Sequence, residues 1–188
     1  MGLFYSGIQC ELCEVVLRDK VPEFLTASPS GTVPALVLDH QVLDESFDIM
    51  LWALAQSDPM GWLDMPGTGY ALVKETDAPF KHALDRTKYA SRYPKAGKEG
   101  HLRTAMEFLI KLDRMLDKSY LFADTPRLAD VTIFPFLRQF AFIDKAWFYA
   151  QDWQSLHRWL KRILASELFL KVMLKYPNWQ SGDEKTRF

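Results

Sequence analysis

Two short stretches of the chain carry the groups best suited to bind a small molecule. The first is the loop from Ser28 to Pro34, which leads into an apolar strand. Because proline has no backbone N–H, Pro34 leaves one ladder position unmade, and the peptide group at Val33 can face something other than a sheet partner. The second is Glu45-Ser46, which opens a helix and sets a carboxylate beside free backbone N–H groups. A carboxylate suits an ammonium, and a hydroxyl with a helix N-terminus suits a carboxylate, so these stretches predict a site for a zwitterion.

Composition and charge exclude several classes of function. The chain has 188 residues, of which 48% are hydrophobic and 25% charged, which is typical of a globular protein with a substantial core. A formal net charge of −1 gives no overall attraction to nucleic acid or to an anionic membrane. No apolar run approaches the roughly 20 residues of a membrane span. The only two cysteines, Cys10 and Cys13, do not form the framework of a secreted disulfide-rich fold, so we expect a cytoplasmic protein.

The first residues lack the basic region and apolar core of a secretory signal. Gly2 and Ser6 fit a loose pattern for N-terminal acylation. The alternative is a short helix that ends at Gly7.

The first third of the chain predicts alternating strands and helices. Apolar and polar residues alternate at the start of the stretch from Ile8 to Leu17, which predicts a strand. The stretch from Val33 to Leu38 is almost continuously apolar, which predicts a strand buried on both faces. In order, the predicted elements are a strand over Ile8 to Leu17, a helix starting at Pro22, a strand over Val33 to Leu38, a two-residue hairpin turn at Asp39-His40, a return strand after Gln41 and a helix after Ser46.

The rest of the chain is helical in pattern. Turn residues from Asp58 to Gly69 mark a domain boundary. A helix is expected from Asp77 and Pro79 to just before Pro94. Further along the chain, apolar residues repeated at helical spacing indicate another helix. A helix around residues 131–137 is apolar on most sides and therefore central, with Pro135 inside it. Two shorter helices follow, around Leu156 to Leu164 and Glu167 to Leu174.

These elements and three motifs resemble the glutathione S-transferase family, in its bacterial type. The motifs are the stretch Ser28-Pro29-Ser30-Gly31-Thr32-Val33-Pro34, the pair Glu45-Ser46 and the stretch Leu128-Ala129-Asp130-Val131. The resemblance implies an incomplete thioredoxin-like α/β domain over residues 1–63 and an all-α helical bundle domain over 70–188. It also implies that the backbone of Val33, before a cis Pro34, pairs with the cysteinyl part of glutathione, and that Glu45 and Ser46 hold the γ-glutamyl end.

The sequence departs from the family in two places. Arg127 stands where the family has Ser or Thr as a helix cap, so Thr125, followed by Pro126, is the alternative cap. The family's first strand and the start of its first helix, which carry the catalytic Tyr, Ser or Cys, have no counterpart, so the catalytic residue is unknown. Tyr5 and Ser6 match the far end of that helix and are not nominated. We expect a displaced edge strand, a gap filled by another chain, or a truncated form of a longer protein.

The resemblance implies glutathione as co-substrate, conjugated to or used to reduce an apolar small-molecule electrophile, in a detoxifying homodimer. The alternatives are a non-catalytic scaffold that binds glutathione or a protein, and a fragment without a function of its own. Aromatic residues that could line a substrate pocket between the domains, or simply form core, are Phe80, Tyr89, Tyr93, Phe136 and Phe140.

Other reactive residues predict little chemistry. Cys10 and Cys13 have the spacing of a redox dithiol, but on a strand they point to opposite faces, which favours two unpaired thiols. The four histidines lack ligand spacing, so no metal is expected. Basic and aromatic residues from Arg158 to Arg162 indicate a solvated helix face rather than a nucleic-acid site.

Overall fold

A computed structural model describes residues 1–28, 30–88 and 98–188. The elements in chain order are α1 (Gly2–Tyr5), β1 (Glu11–Leu12), α2 (Pro22–Ala27), β2 (Leu36–Val37), β3 (Val42–Leu43), α3 (Ser46–Gln56), α4 (Gly67–Glu75), a π-helical turn (Thr76–Phe80), α5 (Lys81–Lys88), α6 (Lys98–Met115), α7 (Leu128–Ala141), α8 (Lys145–Tyr149), α9 (Gln154–Leu164), α10 (Glu167–Val172) and β4 (Thr186–Arg187). The predicted class, a small sheet-containing part and a helical part, is confirmed.

The chain divides into two compact units. One contains Met1–Met60 together with Glu167–Phe188, and the other contains Gly61–Ser166. This grouping differs from the predicted bounds of 1–63 and 70–188 mainly at the C-terminus, where α10 and β4 belong with the sheet-containing unit. The reason is visible in the strand pairing, because β4 is an edge partner of β1.

The described residues form two antiparallel two-stranded sheets. In one, Glu11 of β1 lies opposite Arg187 of β4, and the ladder continues as Cys10 and Phe188 exchange two backbone hydrogen bonds of 3.1 and 2.9 Å. The predicted strand over Ile8 to Leu17 is therefore too long, since regular pairing covers only Glu11–Leu12. Its pairing partner, β4, was not predicted at all.

The second sheet is the predicted hairpin of β2 and β3. Leu36 pairs with Leu43 and Val37 with Val42, and the Leu38 N–H donates to the Gln41 carbonyl at 2.9 Å across the Asp39-His40 turn. The prediction that Val33 to Leu38 is buried on both faces is wrong, since Val33 is 43% and Val37 60% exposed. Side chains alternate along a strand, so Leu36 and Val37 project to opposite sides, and the side that carries Val37 is the exposed one.

In the same unit, α1 packs against α3. Gly2 is buried, and a Cβ added to it would lie 2.8 Å from Cγ of Met50, so the close approach of the two helices requires a glycine. The helix ends before Gly7, which has a φ of +69°. The phenol of Tyr5 donates to the Asp58 carboxylate at 3.3 Å and accepts from the Met60 N–H at 2.7 Å. These contacts tie α1 to the segment that follows α3.

In the helical unit, α7 is central, as predicted from its apolar sequence, and nine of its fourteen residues are buried. Its N-cap is Arg127 rather than Thr125. A guanidinium cannot accept a hydrogen bond, and Arg127 instead donates from Nη1 to the Gly61 carbonyl at 2.6 Å. The Asp130 carboxylate accepts from the Arg127 N–H at 2.9 Å, which caps the first turn from within the helix.

Two helix predictions in this unit need correction. The helix expected to start at Asp77 and Pro79 starts at Gly67, because α4 continues through the π-helical turn into α5. Pro79 lies inside that turn rather than at a helix start. Helix α8 was missed, although Asp144 caps it by accepting from the Trp147 N–H at 2.9 Å.

Candidate functional site

The β2–β3 hairpin brings the two predicted binding stretches to the same end of one structure. Leu36 lies opposite Leu43, and Val33–Pro34 precede β2 while Glu45–Ser46 follow β3. Val33–Pro34 and Glu45–Ser46 therefore both adjoin the open end of the hairpin. The antiparallel pairing therefore directs to one end of the hairpin two stretches in which Pro34 and Glu45 are eleven residues apart.

The first stretch presents a backbone group. The Val33–Pro34 peptide bond is cis, and Gly31, with a φ of +63°, forms the turn that precedes it. Within the part of the chain that the structure describes, neither the N–H nor the carbonyl of Val33 takes part in a hydrogen bond. A donor and an acceptor on one residue can pair with the backbone of an extended peptide ligand.

The second stretch presents a helix start. Glu45 is the N-cap residue of α3, and its side chain does not cap the helix. The first intrahelical bond runs from the Ile49 N–H to the Glu45 carbonyl at 3.0 Å, so the N–H groups before Ile49 point out of the helix without an intrahelical partner. Glu45 and Ser46 are both exposed. The arrangement can hold an ammonium on the carboxylate and a carboxylate on the helix N-terminus.

The loop between α2 and Val33 is held by side chains that the sequence did not single out for this role. Nζ of Lys20 donates to the Gly31 carbonyl at 2.8 Å, and Oγ of Ser28 donates to the Thr32 carbonyl at 3.3 Å. Lys20 is eleven residues from its partner, and no spacing rule predicts such a contact. Ser28 lies inside the motif that predicted the site, so its position was the available signal.

The predicted aromatic pocket is divided by the structure. Phe80 and Phe140 are buried in the helical unit, where the Phe80 ring lies 4.7 Å from that of Phe108 and 5.9 Å from that of Phe140. Phe136 is half-buried, with Nζ of Lys81 6.0 Å from its ring centroid. Tyr89 and Tyr93 lie outside the described residues. A substrate pocket lined by these residues stays a prediction.

The thiols and hydroxyls near the N-terminus do not form an activated nucleophile. Burial raises the pKa of Cys10, and burial also raises that of Cys13, with nearby Lys185 acting in the opposite direction. A redox dithiol needs a lowered pKa, so the structure favours two ordinary thiols. The hydroxyl of Ser6 is buried and has no hydrogen-bond partner among the described residues. The phenol of Tyr5 is occupied by the two contacts given above.

The described residues contain no group of three or more His, Cys, Asp or Glu side chains that could hold a metal ion. None of the helices in the described ranges is both long and apolar enough to cross a bilayer. The absence of a metal cofactor stays a prediction from the sequence.

Two family models together match most of the chain. The description of one is glutathione S-transferase, N-terminal domain, matched over residues 1–60, and that of the other is glutathione S-transferase, C-terminal domain, matched over residues 82–162. The chain belongs to the glutathione S-transferase family. No curated protein matches the sequence.

Solved structures share this fold at low sequence identity. BphK, a bacterial glutathione S-transferase solved as a ternary complex, is 21% identical with a TM-score of 0.74, covering 92% of this chain and 90% of its own. Glutathione transferase Omega 3C from Trametes versicolor is 18% identical with a TM-score of 0.77, covering 94% and 83%. A sphingomonad glutathione S-transferase complexed with glutathione is 22% identical with a TM-score of 0.72, covering 92% and 89%. These likenesses show that the fold is that of a thioredoxin-like domain joined to a helical domain.

Proposed function

We propose that this chain binds glutathione at the open end of the β2–β3 hairpin. The β2–β3 pairing supports the proposal, because Val33 and the Glu45–Ser46 helix start both adjoin the open end of that hairpin. In the bound state, the cysteinyl backbone pairs with Val33 beside Pro34. The γ-glutamyl ammonium lies on the Glu45 carboxylate, and its carboxylate lies on Ser46 and the N-terminus of α3. Membership in the family and the glutathione complex of the sphingomonad protein support this choice of ligand.

Calorimetric titration with glutathione tests the site. Replacing Glu45 with Gln removes a charge-assisted hydrogen bond, so we expect affinity to fall at least about tenfold, and Ser46→Ala to cause a smaller loss. Asp48→Asn is the matched control, because Asp48 is an exposed acid in the same helical turn. Equal losses for Glu45→Gln and Asp48→Asn would show a general charge effect and contradict the assignment of Glu45.

The reaction we propose for the bound peptide is conjugation of its thiol to an apolar electrophile. The sulfur forms a bond to an electrophilic carbon, the leaving group departs with its electron pair, and the thiol proton passes to solvent. Reduction of the substrate by the same thiol is the related possibility. An aryl chloride activated by nitro groups is a suitable probe, since both chloride release and absorbance report turnover.

The second candidate function is a scaffold that binds glutathione or a protein without turnover. The occupied Tyr5 phenol and the raised thiol pKa values favour it, because an activated sulfur needs a free donor nearby. Saturable glutathione binding with no increase in conjugation over the uncatalysed rate would select the scaffold. Turnover that is lost together with binding in Glu45→Gln would select the transferase.

The assembly and setting of the protein follow from the family. We propose a homodimer in the cytoplasm that takes part in detoxification of apolar electrophiles. Light scattering on the purified chain gives the mass of the assembly, and a monomer at micromolar concentration would contradict the proposed dimer. Fractionation of cells that express the chain tests its location.

A further inference from the structure

Two consecutive carbonyl groups immediately before Val33 are each held by a side chain. Lys20 donates to the Gly31 carbonyl at 2.8 Å, and Ser28 donates to the Thr32 carbonyl at 3.3 Å. The Thr32 carbonyl and the Val33 N–H belong to one trans peptide unit, in which they point in opposite directions. When Ser28 holds the carbonyl, the direction of the Val33 N–H is fixed as well.

The preceding peptide unit is fixed in the same way. Its carbonyl is that of Gly31, held by Lys20, and its N–H is that of Thr32, which donates to Oγ of Ser30 at 3.2 Å. Ser30 in turn lies 2.6 Å from Oγ1 of Thr32 and 3.4 Å from Oγ of Ser28. Ser28 is only 1% exposed, so its hydroxyl is anchored in the protein interior. The loop that presents Val33 is thus held from its interior side by a connected set of polar groups.

We propose that Ser28 and Lys20 are positioning residues that orient the Val33 peptide group for a bound peptide ligand. The inference rests on the proposed function, because the ligand it concerns is glutathione. Neither residue needs to contact the ligand. Their effect is to restrict the loop before binding, so that pairing with the Val33 backbone requires less ordering.

Lys20 has a second possible action that must be separated from this one. A lysine ammonium has three N–H donors, and only the one on the Gly31 carbonyl is used among the described residues. The remaining donors could contact the glycine carboxylate of glutathione directly. Glutathione amide, in which the glycine carboxylate is replaced by a neutral carboxamide, keeps the cysteinyl backbone unchanged, so it distinguishes the two actions.

The experiment is calorimetric titration of glutathione and glutathione amide into the full chain and its variants. We expect Ser28→Ala and Lys20→Met each to weaken both ligands by a similar factor, about threefold to tenfold, corresponding to one lost hydrogen bond. The conservative variants Ser28→Thr and Lys20→Arg should restore most of the affinity. Thr26→Ala is the matched control, because Thr26 is an exposed hydroxyl residue of α2 that donates to the Pro22 carbonyl at 2.9 Å.

A structural readout accompanies the affinities. In Ser28→Ala, the ligand-induced change in the Val33 amide NMR signal should shrink, while that of the Ser46 amide persists. If the ligand-induced change is lost at both the Val33 and the Ser46 amides, the variant has lost structure generally, and the positioning role is overturned. If Ser28→Ala does not fold, Lys20→Met, which changes a half-buried side chain, decides the question.

The outcomes are distinct. If the natural chain binds glutathione and both Ser28→Ala and Lys20→Met bind it with unchanged affinity, the positioning role is overturned while the proposed function stands. A loss in Lys20→Met that is confined to glutathione overturns the positioning role of Lys20, since it shows direct contact with the carboxylate. No binding of either ligand by the natural chain overturns the proposed function and this inference together.

Discussion

Replacing Trp159 with Phe tests how the helical unit is held together. Nε1 of Trp159 donates to Oδ1 of Asp130 at 2.7 Å. The Asp130 carboxylate is fully buried and also accepts from the backbone N–H groups of Leu121 at 3.0 Å and Arg127 at 2.9 Å. Phe keeps much of the ring but removes the donor, so Asp130 would be left with its two backbone partners.

The expected cost has two parts. A hydrogen bond to a charged group contributes about 1.5–3 kcal/mol, and loss of part of a buried ring adds the cost of the cavity that it leaves. Trp153→Phe measures separately the cost of losing part of a buried ring. Trp153 is 6% exposed against 1% for Trp159, and no hydrogen bond involves its indole among the described residues. We therefore expect Trp159→Phe to destabilise the protein by about 1.5–3 kcal/mol more than Trp153→Phe does.

The assay is urea unfolding followed by far-ultraviolet circular dichroism, because each variant changes the tryptophan fluorescence. The single variant Asp130→Ala and the double variant Asp130→Ala with Trp159→Phe complete a mutant cycle, and its coupling energy should account for most of the difference between the two tryptophan variants. Equal destabilisation by Trp159→Phe and Trp153→Phe, or a coupling energy near zero, would refute the importance of the indole hydrogen bond.

Three further results are expected. Burial raises the pKa of Asp130 despite the hydrogen bonds it accepts, so its contribution to stability is fully present below the ordinary carboxyl pKa of about 3.9 and declines as pH rises through the higher folded value. Urea melts of the natural chain and Asp130→Asn should show their difference shrinking as pH rises above about 4. Removing residues 186–188 deletes β4 and both Cys10–Phe188 hydrogen bonds, so amide exchange at Cys10 should accelerate while that at Leu137 in α7 is unchanged. If no group of the protein activates the thiol, conjugation should become about tenfold faster per pH unit up to pH about 8.5, and a plateau below pH 7 would reveal an activating donor.

Local rules predicted the elements whose structure depends on near neighbours in sequence. Pro22 is the first residue of α2, and Asp39-His40 forms the turn of the hairpin. The backbone preferences of a few residues determine both features. The apolar sequence of α7 predicted its central place, since a helix without a polar face must be buried. The Val33–Pro34 and Glu45–Ser46 stretches were brought together by the same short hairpin.

Long-range contacts explain what the sequence did not predict. The strand β4 lies in a polar tail with no strand pattern, and it becomes a strand only because its backbone groups pair with β1. The sequence did not predict that α4 starts at Gly67, because this segment is rich in glycine. Packing there outweighs the low helix propensity of glycine. The contact of Lys20 with the Gly31 carbonyl joins two loops, and the types of these two residues do not predict it.

The chemistry of the thiol decides what this site can do beyond binding. Free cysteine has a pKa of about 8.5, so roughly 3% of bound glutathione would be thiolate at pH 7 without help from the protein. Help requires a donor or a positive charge near the sulfur. Near Val33, the Ser28 hydroxyl donates to the Thr32 carbonyl, and one of the Ser30 and Thr32 hydroxyls donates to the other. If glutathione binds at the open end of the hairpin as we propose, acceleration of the conjugation therefore requires a donor or a positive charge that reaches the sulfur.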